Sequence, residues 1–268
     1  MVPSPLRILC FACANLRLGV GLLLWLWTAT ALHAQVVNIE QQRLDASKAG
    51  WSGSVAGNLD LTRNQRSVFN FGANAKDQHR KDSTIWLGLV QGGLIRASGQ
   101  QFSNFAFGHV RWTRGVTAYL ALEAFAQLQQ NRVNGIQNRS LAGAGVRVLA
   151  FDEPAGTFYV GALVLGERER EVVDSIPLHN DVRLSAYVAG SYTPDSADWI
   201  TVSNTTYFQP RVGRFSDIRI STDWQLEVAL RENLKLVTSL NLVYDAVPPI
   251  GLDKTTYALR NGLKFVFD

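Results

Sequence analysis

Cysteine occurs only at positions 10 and 13 of this 268-residue chain, and only four histidines are present. Both cysteines fall in a segment read below as a cleaved leader. The mature chain then has no disulfide, no thiolate nucleophile and no thiolate metal ligand. After the same cleavage His79, His109 and His179 are left, and no two of them stand at a metal-pair spacing. No cofactor is called for. Beyond the leader no uninterrupted apolar run approaches the roughly 20 residues of a membrane helix. Charge of one sign is also scarce. Bases outnumber acids by 26 to 22, and removing Arg7 and Arg17 leaves about +2, so no nucleic-acid footprint is present.

What is present begins with the leader. Arg7 and Arg17 supply a basic start, and no acid precedes Glu40. The apolar run Leu18–Trp27 follows, then Thr28-Ala29-Thr30-Ala31-Leu32-His33-Ala34. That order describes a secretory signal over residues 1–34, cut after Ala34 or Ala31. An uncleaved anchor is the alternative, but the run is short for spanning. Residues 35–50 read as a polar lead-in on the periplasmic side. Residues 51–268 read as one domain, with no linker or low-complexity tract.

The mature region alternates with a period of two. Val116, Ala118, Leu120, Leu122, Ala124, Ala126 and Leu128 fall at one parity, and Thr117, Tyr119, Glu123, Gln127 and Gln129 at the other. Successive side chains of a strand point to opposite faces, so this pattern predicts strands with one apolar and one polar face. Ile218, Ile220, Trp224, Leu226 and Val228 alternate likewise with Arg219, Ser221, Asp223, Gln225 and Glu227. The last strand sets Tyr257, Leu259 and Leu263 against Arg260 and Lys264. Segments 102–113 and 157–170 can be read in either register.

Twelve strands are predicted, at 51–62, 66–78, 84–95, 102–113, 116–129, 138–149, 157–170, 180–193, 198–209, 216–229, 233–245 and 255–267; a count of ten is the alternative. Most exceed the usual length of about five or six residues and suit the roughly 9–11 that a tilted strand needs to cross a bilayer. Even-numbered connections, such as Asp152-Glu153-Pro154 and Arg231-Glu232, read as short periplasmic turns. Odd-numbered ones (Ile95–Gln101, Gln130–Gln137, Glu171–His179, Gln209–Phe215, Ala246–Asp253) read as longer external loops. Trp51, Trp112, Tyr192, Trp199, Tyr244 and Tyr257 lie near strand ends, as interfacial girdles do. The expected fold is therefore all-β: a single closed antiparallel transmembrane β-barrel in an outer membrane.

Several blocks resemble one family. Glu123-Ala124-Phe125-Ala126-Gln127 with Arg139-Ser140-Leu141-Ala142-Gly143-Ala144-Gly145-Val146-Arg147 is similar to the central block of the salt-induced outer membrane proteins, a group defined as a domain of unknown function. Tyr207-Phe208-Gln209-Pro210 with Asp217-Ile218-Arg219 resembles its later block, and Tyr244-Asp245-Ala246-Val247-Pro248-Pro249 its C-terminal part. The resemblance spans roughly Val37 to Phe267 and implies an outer-membrane barrel without an established activity. The closing aromatics Phe265 and Phe267 resemble the signal by which barrels are handed to the assembly machinery, although Asp268 follows where an aromatic usually ends the chain.

Lumen-facing parity gathers Arg139, Arg147, Arg183, Arg219, Arg260 and Lys264 against Asp60, Glu123, Asp223, Glu227 and Asp245. Two readings follow. The charges form an ion-paired filling, since a buried charge is costly unless paired, or an arginine track guides small acidic solutes through a water-filled channel. Tyr187, Tyr207, Gln209 and Asn241 serve either. Glu167-Arg168-Glu169-Arg170-Glu171 reads as a solvated, self-paired rim at an outer strand end, with contact to lipopolysaccharide phosphates as the alternative. Gly143-Ala144-Gly145 reads as close backbone packing, and Pro248-Pro249 as a rigid extended loop. The expectation is a non-enzymatic envelope barrel, either a narrow pore or a structural protein, linked to salt or osmotic stress through the resemblance alone. Its partners are outer-membrane lipids, lipopolysaccharide and the barrel assembly machinery. A barrel-wall lipid hydrolase and a soluble secreted β-sandwich binding module are the competing classes.

Overall fold

The computed structural model describes residues 49–63, 67–132, 135–172, 178–249 and 251–265. The leader, most of the lead-in and Phe267 lie outside the described residues. Twelve antiparallel strands pair in simple chain order within one sheet. They are β1 (Gly50–Arg63), β2 (Ser67–Lys81), β3 (Thr84–Ala97), β4 (Gln100–Gly115), β5 (Leu120–Asn131), β6 (Ile136–Glu153), β7 (Gly156–Glu171), β8 (His179–Tyr192), β9 (Ile200–Arg211), β10 (Arg214–Arg231), β11 (Leu234–Asp245) and β12 (Thr255–Phe265). Every predicted strand has its counterpart within a few residues, because alternation marks strands directly. The shortest, β12, has 11 residues. At about 3.3 Å per residue and a tilt of about 45°, 11 residues rise about 26 Å, close to the apolar band of about 25 Å on membrane barrels.

Burial is inverted relative to a water-soluble core. Among the described residues, nineteen buried side chains are polar or charged and twelve are apolar, Pro210 and Pro249 included. The exposed set includes Val110, Leu128, Val164, Leu184, Trp224, Leu226 and Leu263. Strand parity accounts for this. On β5, Glu123, Gln127 and Gln129 point inward while Leu122, Ala126 and Leu128 point outward. On β10, Asp217, Arg219, Ser221 and Asp223 are buried, whereas Trp224 and Leu226 face out. The two ambiguous segments now have a register. Phe107, His109, Arg111 and Thr113 face inward on β4, and Leu163, Leu165, Glu167 and Glu169 on β7. The sheet curls strongly enough that side chains three strands apart meet on its concave face, as between Glu123 on β5 and Tyr187 on β8. Among the described residues no ladder joins β1 to β12.

Two expectations about the connections need correction. The segment Val116–Tyr119 is a turn and not the start of a strand. Thr117 Oγ1 accepts hydrogen bonds from the backbone N–H groups of Tyr119 (3.2 Å) and Leu120 (3.0 Å), a local competitor to the ladder. Of the connections read as longer, those after β3 and β9 are two-residue hairpins, Ser98-Gly99 and Val212-Gly213. Ser98 (φ 50°) and Gly99 (φ 82°) both take the left-handed conformation that a tight hairpin matched to strand twist requires. The long–short alternation is therefore weak. The nine residues between β11 and β12 form the longest connection.

Candidate functional site: a charged interior

The interior charges form one large cluster and two smaller ones. The largest lies toward the end of the sheet that carries the β7–β8 and β11–β12 connections. Glu167 on β7 accepts from Arg183 Nε on β8 at 2.9 Å, lies 3.0 Å from Arg139 Nε on β6, which donates to Glu169 at 2.9 Å, and is also met by Arg219 Nη1 on β10. Glu169 binds Arg139 Nη2 (2.7 Å) and Arg219 Nη2 (3.2 Å). Arg219 Nε then donates to Asp245 on β11 at 2.7 Å. Arg183 Nη2 reaches Asp217 on β10 at 2.9 Å, and its Nη1 donates to the carbonyls of Gln209 and Asp217 at 3.2 Å. Arg211 bridges Asp181 (2.7 Å) and Asp217 (3.5 Å). Five carboxylates thus face four guanidiniums, and the charge nearly cancels. Burying ions is costly, and dense cross-pairing is what offsets the loss of hydration.

A second cluster surrounds Glu123, whose side chain is fully buried. It accepts from Tyr187 Oη at 2.7 Å and Thr113 Oγ1 at 3.3 Å, and lies 3.4 Å from Arg111 Nη1 and 3.7 Å from Arg147 Nη1. The Arg147 guanidinium also stacks 3.7 Å above the Tyr159 ring. Gly161 makes room for Tyr187, because a Cβ there would collide with its ring. Between the two clusters only about 40 Å³ is left open, bordered by His109, Arg111, Gln129, Arg139, Tyr207 and Arg219. That holds one or two waters. His109 is stacked between Phe107 and Phe125, with Nδ1 3.1 Å from Gln127 Oε1. The third cluster joins Asn241 to Asp223 (2.7 Å), and Lys235 (3.2 Å) and Gln225 (2.8 Å) to Glu227.

Most charges singled out from the sequence are inward and engaged: Glu123, Arg139, Arg147, Arg183, Arg219, Asp223, Glu227 and Asp245. Asp60 stands apart, accepting from Asn70 at 2.8 Å near the β1–β2 end and away from the clusters. Arg260 is exposed on β12 and joins none of these ion pairs. Lys264 pairs in register with Lys235, and Phe265 with Leu234; their side chains lie outside the described residues. The rim reading of residues 167–171 is corrected. Glu167 and Glu169 are buried at the centre of the main cluster, while Arg168 and Arg170 point outward. Strict alternation carried that information, since the odd positions continue the inward series Leu163 and Leu165. Arg111, Asp181, Arg211 and Asp217 also escaped the sequence reading. Asp217 was legible in principle from its shared parity with Arg219.

Fold and interior together define a twelve-stranded antiparallel β-protein turned inside out, charged within and apolar without. The chain belongs to the family described as protein of unknown function, DUF481, whose model matches residues 52–267. No curated protein matches it. Among solved structures, the NanC porin in a rhombohedral crystal form is similar at 10% identity and a TM-score of 0.47, covering 78% of this chain and 100% of the porin chain.

Proposed function

We propose that the chain closes into a twelve-stranded barrel in the outer membrane and acts there without catalysis, as a narrow channel whose lumen is shut by its own ion pairs. The inverted burial carries this reading. Apolar side chains stay exposed around the convex face where hydrocarbon would solvate them, and the paired charges occupy the concave face. Closure would satisfy the outer backbone groups of β1 and β12, which lipid cannot. The leader directs export, and the terminal strand with Phe265 and Phe267 hands the chain to the assembly machinery. Arg168 and Arg170 on the outward face suit lipopolysaccharide phosphates. A role in salt or osmotic stress rests on the family resemblance alone.

Purified protein reconstituted into planar bilayers tests the reading. Small, ion-selective steps or a largely silent membrane are expected. Large open-channel currents would overturn the filled lumen, and phospholipid turnover would overturn the non-enzymatic role. Recovery of the mature protein in an aqueous extract without detergent would overturn the barrel itself.

A further inference from the structure

Loops normally lie on the surface, yet Pro249 in the β11–β12 connection is buried. Its neighbour is Gly135 in the β5–β6 connection, six strands away in the sheet order. A Cβ built on Gly135 would sit 2.8 Å from Pro249 Cβ and 3.6 Å from Leu252 Cδ1. Gly135 and Gly251 both take positive φ, 73° and 85°, a left-handed conformation that glycine adopts without side-chain strain. In a twelve-stranded barrel these two connections stand on opposite sides of one mouth, so the longer one crosses it. Beside it lies a cavity of about 350 Å³, bordered by the buried Arg139, Arg219, Ile136 and Val243, by Pro248 and Leu252 of the connection, and by the exposed Thr255 and Tyr257 of β12. That is the low end of small-molecule pocket sizes.

Asp245 ties the crossing segment to the charge cluster. Its Oδ2 accepts from Arg219 Nε at 2.7 Å, and its Oδ1 accepts from the Val247 N–H at 3.0 Å. The base of the segment is pinned by backbone bonds from Asp245 N to Lys254 O (2.8 Å) and Ala246 N to Ile218 O (2.9 Å). Further along the connection, Pro249 packs on Gly135 and the Leu252 N–H donates to Pro249 O at 3.1 Å.

We propose that the β11–β12 connection is a strap that closes the outer mouth over a chamber for a small polar solute, with Asp245 linking its position to the ion pairs below. This rests on the barrel reading above. Ile136 is 1% exposed on the chamber floor, and no cysteine follows position 13. Ile136→Cys therefore reports access when treated with a membrane-impermeant maleimide in vesicles. Two strap variants are compared with the native strap: residues 247–253 replaced by Asn-Gly, and Pro249→Gly at native length. Labelling about tenfold faster is expected in both, the ratio that about 1.4 kcal/mol of closure gives. Vesicle flotation and heat-modifiable gel mobility are measured on the same samples. Flotation with unchanged labelling in both variants would overturn the strap alone, whereas failure of the native protein to float would overturn the barrel reading.

Discussion

Glu167→Gln removes the charge from a carboxylate that meets three guanidiniums, those of Arg139, Arg183 and Arg219. The side chain is 2% exposed, so water cannot replace what is lost. Breaking a buried ion pair from one side costs about 3–5 kcal/mol, because the partner charge stays buried. Glutamine keeps the volume and one acceptor oxygen, which places the expected loss near the lower end, about 3 kcal/mol. With a denaturant slope of about 2 kcal/mol/M, the urea midpoint of reversible folding in vesicles drops by about 1.5 M. Urea is the right denaturant, since guanidinium chloride would screen the pairs being tested. Arg168→Gln is the internal control: its neighbour in sequence points outward, and no resolvable shift is expected. A loss below about 1 kcal/mol for Glu167→Gln, or equal losses for the two variants, would refute the assignment of faces.

Two further outcomes follow from the same geometry. Val164 lies near the middle of β7 and is 54% exposed on the convex face; Val164→Arg is expected to cost about 2–4 kcal/mol in vesicle refolding if that face meets hydrocarbon. An unperturbed midpoint would mean that the face meets water. Gly161→Ala pushes a methyl group into the Tyr187 ring and strains its bond to Glu123, costing about 1–3 kcal/mol and lowering the temperature at which the folded gel band disappears. Gly108→Ala, where a Cβ meets nothing within 4 Å, leaves that temperature unchanged.

Legibility differed among the parts of the site, for identifiable reasons. Arg219, Asp223 and Glu227 were readable because β10 alternates without interruption through them. Arg111 was not, because β4 places Phe105 and Phe107 on the same inward face as its polar residues and so blurs the contrast. Glu167 and Glu169 were misread because alternating opposite charges look self-paired along a chain. The pleat instead sends adjacent residues to opposite faces, so Glu167 cannot use Arg168 as its interior partner.

Alternation alone determined the strands and, for most of them, which face is charged, since the pleat is a property of each residue and its neighbours. Only the tertiary structure decided which charges meet. Curling the sheet brings β7 against β10 and β5 against β8, and those distances depend on curvature and side-chain reach, to which spacing along the chain is blind. Curvature likewise carries Pro249 to Gly135, because that packing exists only once the curled sheet brings the two connections together.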